Sequence, residues 1–353
     1  MKTRARYDQV ILPTYAPPAP VFVRGSGSQV WDEDNNNYID FGGGIAVLSL
    51  GHCPPVLQHA INKQAATLMH LSNLHINAPA VHAAQLLTEH TFAERVFWCN
   101  SGAEANEAAL KLARRYGVMQ RASKSKVLSF ENAFHGRIGL TMAATPQSKI
   151  REGFGPLAPG FYSSPYNDLA AAAAALDNDF CAIIVEPVQG EGGINIATDE
   201  FLHGLRALAK QHDALLLFDE IQSGAGRSGK LYAYMNSGVI PDILTSAKGL
   251  GGGFPVAAML AAANIAEVLN VGNHGTTYGG NALATAAAAA VLETLLADGF
   301  LAGVEERAAE ITRRLTDINN KHHCFSAIRN SGLLIGCDMV ENGAENWSAK
   351  ELA

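Results

Sequence analysis

Residues 214–230, ALLLFDEIQSGAGRSGK, set five apolar residues directly before two carboxylates and a run of glycines. A short, continuous apolar run without polar alternation fits a strand buried on both faces, as in a parallel sheet covered by helices. Asp219 and Glu220 then emerge at the carboxyl end of that strand, where open α/β sheets bind ligands. The glycines offer a competing reading, since Gly224, Gly226 and Gly229 fit GxGxxG and Gly224 to Lys230 fit most of a P-loop. Residue 231 is Leu where a P-loop needs a magnesium-binding hydroxyl, and LYAYMNSG makes a poor phosphate-capped helix. A nucleotide-binding enzyme is therefore the weaker alternative, and the glycines are expected to form a solvated turn.

The same signal recurs along the chain. RVFWC (95–99), KVLSF (126–130), AIIVEP (182–187), DILTSA (242–247) and VAAML (256–260) read as strands, alternating with helical stretches. One of these, TDEFLHGLRALAKQH (198–212), opens on a Thr198 cap and places Phe201, Leu202, Leu205 and Leu208 on one face. The fold class is thus α/β, a mostly parallel central sheet with helices on both faces. Ahead of it, VFVRGSGSQVWDEDNNNYIDF (21–41) reads as a β-meander. After the long helices at roughly 282–320, FSAIRNSGLLIGCDMV (325–340) returns to a strand pair. The expected division is an N-terminal arm with part of a small domain over 1–50, a large domain over 51–290 and a C-terminal small domain over 291–353.

Composition narrows the functions. With 353 residues, 48% of them hydrophobic, the chain can bury a large core, and its net charge of −7 leaves no basic footprint for nucleic acid. The N-terminal MKTRARYDQVILP lacks an apolar signal region, and ALATAAAAAVLETLLADG is interrupted by Glu293, so a soluble cytoplasmic protein without a membrane span is expected. The five cysteines are odd in number and without CxxC spacing, as expected of reduced core thiols, and the twelve histidines include no HExxH, so no metal site is expected. KHHC (321–324) reads as a polar loop.

Four further clusters carry possible chemistry. Asn100, Ser101 and Gly102 follow a strand and open a long helix, a junction suited to phosphate because free N–H groups and the helix dipole converge there. Phe134 and Arg137, in ENAFHGR, combine an aromatic face with a carboxylate clamp. In VEPVQGEGG, Glu186 stands at a strand end and Glu191 on the following loop. LTSAKGLGGG (244–253) isolates Lys248 between a strand and glycines. A surface lysine, a core aromatic, a solvated loop acid and a plain helix cap account for each in isolation. Together they make the set that pyridoxal phosphate requires: a Schiff-base lysine, an anion for the pyridinium nitrogen, a phosphate cradle and a cover for the ring.

Seven motifs in one order carry a resemblance: YIDFGGGIAVLSLGH (38–52), CNSGAEANEAALKLAR (99–114), NAFHGR (132–137), VEPVQGEGG (185–193), LLLFDEIQSGAGRSG (215–229), PDILTSAKGLGGGFP (241–255) and HGTTYGGN (274–281). The chain resembles the class III aminotransferases of fold type I, in the acetylornithine and succinylornithine group, from about residue 5 to 340. The resemblance implies that Lys248 forms the Schiff base and shuttles a proton, while Asp219 pairs with the pyridinium nitrogen. Gln222 is implied to contact the ring hydroxyl, Phe134 and Ile221 the ring faces, and Ser101, Gly102 and Ala103 the phosphate. Thr277 is implied to reach the phosphate across a homodimer interface. Arg137 is implied to grip a substrate carboxylate, with Glu191 beside the pocket and Tyr15 at the entrance.

The implied reaction, part of arginine metabolism and amino-acid biosynthesis, moves the δ-amino group of N-acetylornithine or N-succinylornithine to 2-oxoglutarate, giving the semialdehyde and glutamate. Three departures stand out: Pro54 where the group has histidine, Ala282 where it has proline, and the end at NWSAKELA (346–353) where the group continues. The first two are expected to be minor. The third leaves open a relative that holds the cofactor but is catalytically impaired, because the arginine partner of Glu191's counterpart belongs to the missing segment.

Overall fold

The computed structural model describes residues 3–340, and NWSAKELA lies outside them. Seven strands form the central sheet, in edge-to-edge order Arg95–Cys99, Ala257–Ala261, Ile243–Ser246, Leu215–Asp219, Phe180–Val185, Lys126–Phe130 and Phe161–Ser164. Ala257–Ala261 is antiparallel to both its neighbours, and the remaining pairs are parallel. The other six strands therefore point the same way, and their carboxyl ends share one edge.

The apolar runs are explained by burial on both faces. Along Leu215–Asp219, Leu216 and Phe218 enter the core shared with helices Ala78–Glu89, Asp199–Gln211 and Ala282–Leu296, whereas Leu215 and Leu217 enter the core under helix Gly102–Gln120. Phe180–Val185 divides its side chains in the same way: Ile183 and Val185 face one core, Ala182 and Ile184 the other. Alternation is absent because neither face meets water. Thr198 caps Asp199–Gln211 as expected, accepting from the Phe201 amide at 3.1 Å, with Phe201, Leu202 and Leu205 buried.

Three short antiparallel strands, Phe22–Ser26, Gln29–Asp32 and Asn37–Ile39, make the N-terminal meander. Helices Ala282–Leu296 and Phe300–His322 lead to the hairpin Phe325–Ser331 and Leu334–Met339. Among the described residues no single helix is long and apolar enough to cross a membrane. Pro54 precedes helix Pro55–Ala65 and Ala282 opens its own helix under an Asn281 cap, so both substituted positions serve helix starts.

Three expectations need correction. The glycine run 224–229 is packed, not solvated: Gly224, Ala225, Gly226, Ser228 and Gly229 are buried. A Cβ on Gly224 would lie 2.6 Å from the Tyr232 ring, and one on Gly226 3.0 Å from Leu295. Gly226 and Gly229 also have φ of 83° and 90°, so glycine is needed for conformation and close approach alike. Of the cysteines only Cys99 and Cys181 are core thiols, while Cys53 is exposed and Cys324 and Cys337 are half-buried. Finally, Lys321 and His322 end a helix; the polar stretch KHHC is not all loop.

Candidate active site

The shared carboxyl edge of the sheet opens into a cavity of about 490 Å³. Its lining includes Lys248, Asp219, Ser101, Gly102, Ala103, Phe134, Ile221, Gln222, Arg137, Glu191 and Tyr15, eleven of the twelve residues to which the resemblance gives a role. Thr277 is the exception. It is exposed on the surface and lines a neighbouring recess with Asn100 and Glu104, next to Thr276, whose hydroxyl accepts from Asn100 Nδ2 at 3.1 Å. Neither Pro54 nor Ala282 reaches the cavity.

At the floor stands Asp219, 4% exposed. Its Oδ2 accepts from His135 Nδ1 and from Asn106 Nδ2, both at 2.7 Å, and its Oδ1 accepts from the Ile221 amide at 3.1 Å. Asn106 is itself fixed: Thr245 Oγ1 donates to its Oδ1 at 2.7 Å, and its Nδ2 also donates to the His135 carbonyl at 2.8 Å. Asn106, Thr245 and His135 are all buried. A carboxylate out of water is costly unless donors satisfy it, and here three donors from three different segments converge on one. Because the carboxylate accepts, His135 Nδ1 carries the proton, and buried Nε2 has no partner among the described residues.

Lys248 follows strand Ile243–Ser246 with a left-handed φ of 46°, a conformation that costs a lysine roughly 1–2 kcal/mol. Such strain persists only where surroundings over-determine the backbone. They do so here, since Ser49 Oγ donates to the Gly249 carbonyl at 3.0 Å and a Cβ on Gly249 would lie 2.6 Å from that hydroxyl. Burial lowers the affinity of Lys248 for its proton, partly countered by the neighbouring carboxyl groups of Glu191, Asp219 and Glu186. Glu186, fully buried beside the cavity, has the opposite shift. Burial, with Asp219 nearby, holds it well above the usual carboxylate range, and the Phe134 amide donates to it at 2.8 Å.

The opposite end is a helix start. Ser101 and Glu104 form a capping box: the Glu104 carboxylate accepts from the Ser101 and Asn100 amides at 3.0 and 2.7 Å. That leaves the amides of Gly102 and Ala103, which have no partner inside a helix, at the cavity wall. Ile221 packs so tightly on Gly102 that a Cβ there would lie 2.8 Å from Ile221 Cδ1. Toward the mouth, Arg137 is exposed with its guanidinium 5.8 Å from the Phe134 ring centre. Gln222 Nε2 donates to Glu191 Oε1 at 3.0 Å, and a Cβ on Gly190 would collide with Gln222.

These residues fit pyridoxal phosphate by the chemistry of the donor set. An anion-ready helix start, a half-buried lysine with weakened basicity and a rigidly held carboxylate line one cavity, and the His135 ring nitrogen Nε2 adds a polar group to its wall. His135, Asn106 and Thr245 were given no role from sequence, and Glu186 was noted at its strand end without a specific one. The available signal for Asn106 was a polar residue in the buried, alanine-rich stripe of helix Gly102–Gln120.

Comparison with known proteins agrees. The chain is 54% identical over 338 residues to an acetylornithine/succinyldiaminopimelate aminotransferase of Yersinia pestis, covering 96% of this chain and 84% of that one. A succinylornithine transaminase of Yersinia enterocolitica is 52% identical over 342 residues, with 95% and 83% covered. The crystal structure of the ornithine aminotransferase of Toxoplasma gondii superposes with a TM-score of 0.92 at 34% identity, covering 96% of this chain and 83% of that one. Residues 13–353 match the aminotransferase class-III family, and with the cavity these residues build, the chain belongs to that family.

Proposed function

We propose that this chain transfers the δ-amino group of an N-acylated ornithine, N-acetylornithine or N-succinylornithine, to 2-oxoglutarate with pyridoxal phosphate as cofactor. The observation that carries the reading is Lys248, strained and half-buried, in one cavity with the Asp219 network and the helix start at Ser101. The names of the Yersinia relatives support the donor class. When bound, pyridoxal phosphate supplies an aldehyde carbon that exchanges one amine for another and a protonated ring that draws in electrons freed at the substrate carbon.

The chain's residues divide the remaining work. Gly102 and Ala103 amides, with the Ser101 hydroxyl, hold the phosphate, and Phe134 and Ile221 shield the ring and exclude water. Asp219, oriented by His135 and Asn106, holds a proton at the ring nitrogen, and Gln222 binds the ring hydroxyl. Burial keeps Lys248 Nζ readily deprotonated, so within each half-reaction it would move the proton between the amine-bearing substrate carbon and the cofactor's aldehyde carbon, in opposite directions in the two halves, and end each half unprotonated. Arg137 binds the carboxylate common to the amino donor and 2-oxoglutarate, Tyr15 borders the entrance, and Glu191, held by Gln222, stands on the loop beside the pocket. Exposed Thr277 serves the phosphate of a second copy in a homodimer.

The test is absorbance of wild-type and Lys248→Ala protein with pyridoxal phosphate, before and after N-acetylornithine. The wild type gains a visible band, borohydride fixes the cofactor covalently to Lys248, and donor converts the band to that of the aminated cofactor. Lys248→Ala shows neither fixation nor turnover. A wild-type band that ignores both acylated ornithines overturns the donor assignment, and no band overturns the cofactor assignment.

A further inference from the structure

The C-terminal hairpin touches both loops that frame the cavity mouth. Leu333, at its tip, donates its amide to the Arg227 carbonyl at 2.9 Å, docking on the glycine loop that follows Gln222. Gly332 makes this approach possible, since a Cβ there would lie 2.5 Å from the Arg227 oxygen. From strand Phe325–Ser331 of the same hairpin, Arg329 Nη2 donates to the Gly193 carbonyl at 2.8 Å and Nε to the Ile194 carbonyl at 3.3 Å. These carbonyls belong to the loop that carries Glu191. The guanidinium is aimed by a forked pair with Asp338 on the adjacent strand, at 2.5 and 2.7 Å.

The loop it holds does not rest in an easy conformation. Ile194 is β-branched and has φ of 57°, a true outlier that persists only under outside constraint. Gly336 lets the hairpin close on it, because a Cβ there would lie 3.0 Å from Ile194 Cβ and 3.1 Å from the Gly193 oxygen. The Gly192 carbonyl is held locally, by the side chain of Asn195 just past the loop, at 2.9 Å. The next two carbonyls are held by Arg329. A planar fork suits that task, since one rigid group serves two carbonyls and a carboxylate together.

We propose that Arg329, aimed by Asp338, is a positioning residue that locks loop 190–194 and thereby sets Glu191 against Gln222 at the cavity mouth. The C-terminal hairpin thus fixes the spacing of two active-site loops, and none of its described residues lines the cavity. The consequence for catalysis rests on the acylornithine reading above, whereas the clamp itself does not.

The test uses cofactor-loaded protein and two measurements. In hydrogen–deuterium exchange, Arg329→Ala accelerates exchange over residues 189–196 and leaves the central-sheet peptides unchanged. In steady-state kinetics with N-acetylornithine, it raises KM roughly tenfold with a smaller change in kcat. Arg329→Lys recovers part of that loss, and in a Glu191→Gln background Arg329→Ala changes KM by less than about twofold, because its route to the substrate is gone. Asp338→Asn, which keeps the arginine but removes its aim, repeats the pattern more weakly and serves if Arg329→Ala fails to fold. Unchanged exchange over 189–196, an increase spread evenly over all peptides, or effects of Arg329→Ala and Glu191→Gln that multiply independently would each overturn the proposal. Wild-type protein that rejects N-acetylornithine overturns the donor reading alone, and the exchange data still decide the clamp.

Discussion

The floor and the mouth of the cavity are built on different physical terms. At the floor, Asp219, His135, Asn106 and Thr245 are buried, come from four separate segments and are joined by bonds of 2.7–2.8 Å. At the mouth, Arg137, Glu191 and Tyr15 are exposed and stand on loops. Buried groups cannot trade partners with water, so the floor holds one arrangement where the cofactor's ring nitrogen would sit. Exposed groups keep their hydration until a ligand displaces it, so the mouth can accept an amino donor and then a keto acid of different shape. The contrast suits a two-substrate cycle on one cofactor: permanence where the chemistry recurs, adaptability where the substrates alternate.

The sharpest way to break that contrast is to compare one substitution from each region. Asp219→Asn keeps the side-chain volume but removes the negative charge and presents an amide donor to groups that themselves donate. Turnover is expected to fall by roughly 10²–10⁴-fold. Dissociation of pyridoxal phosphate, followed by absorbance, should rise as well. Arg137→Lys keeps the charge at the mouth but loses the planar fork. The expected loss is about 10–100-fold in KM for both substrates, the worth of a charge-assisted hydrogen bond, with cofactor affinity unchanged within about twofold. If Arg137→Lys weakened the cofactor as much as Asp219→Asn does, floor and mouth would not be separate devices.

That same division governs how much of the molecule is legible in the sequence. Strand positions follow from runs such as LLLF and AIIV, because burial on both faces leaves a composition signal that needs no partner. Lys248, Asp219 and Ser101 were legible because each sits at a strand end beside a glycine or a helix start, where local geometry already points to a ligand. Asn106 was not, since its meaning lies in bonds to Thr245 and Asp219, 139 and 113 residues away, and tertiary pairing leaves no periodicity. The glycine loop misled for a related reason. Glycine content reports what the backbone can adopt and how closely others can approach; Tyr232, Leu295 and Leu301 covering it could not be read locally. Arg329 was silent too, as an arginine in a half-exposed strand looks like a solvated face until its carbonyl partners are known.

The smallest expected effect tests the floor from its reverse side. Glu220 follows Asp219 but turns away from the cavity, where it accepts from the Ala233 and Tyr234 amides and the Ser223 hydroxyl. Burial pushes its carboxyl up from 4.5 to about 7. In the folded state it therefore keeps its proton to about pH 7, whereas in the unfolded chain it releases it near 4.5. Between those values the folded state binds more protons than the unfolded one, so this group makes stability fall as pH rises, by about 3 kcal/mol across the window, and adds no further slope above it. Glu220→Gln cannot ionise. It loses one acceptor oxygen and melts below the wild type near pH 5, but the gap should narrow steadily toward pH 7 and then stay constant, with the absorbance of bound pyridoxal phosphate unaltered. Thermal melts from pH 4.5 to 8 decide the matter. Parallel curves for the two proteins would show that Glu220 is ionised in the fold throughout this range, and that the support beneath Asp219 is charged where burial demands that it be neutral.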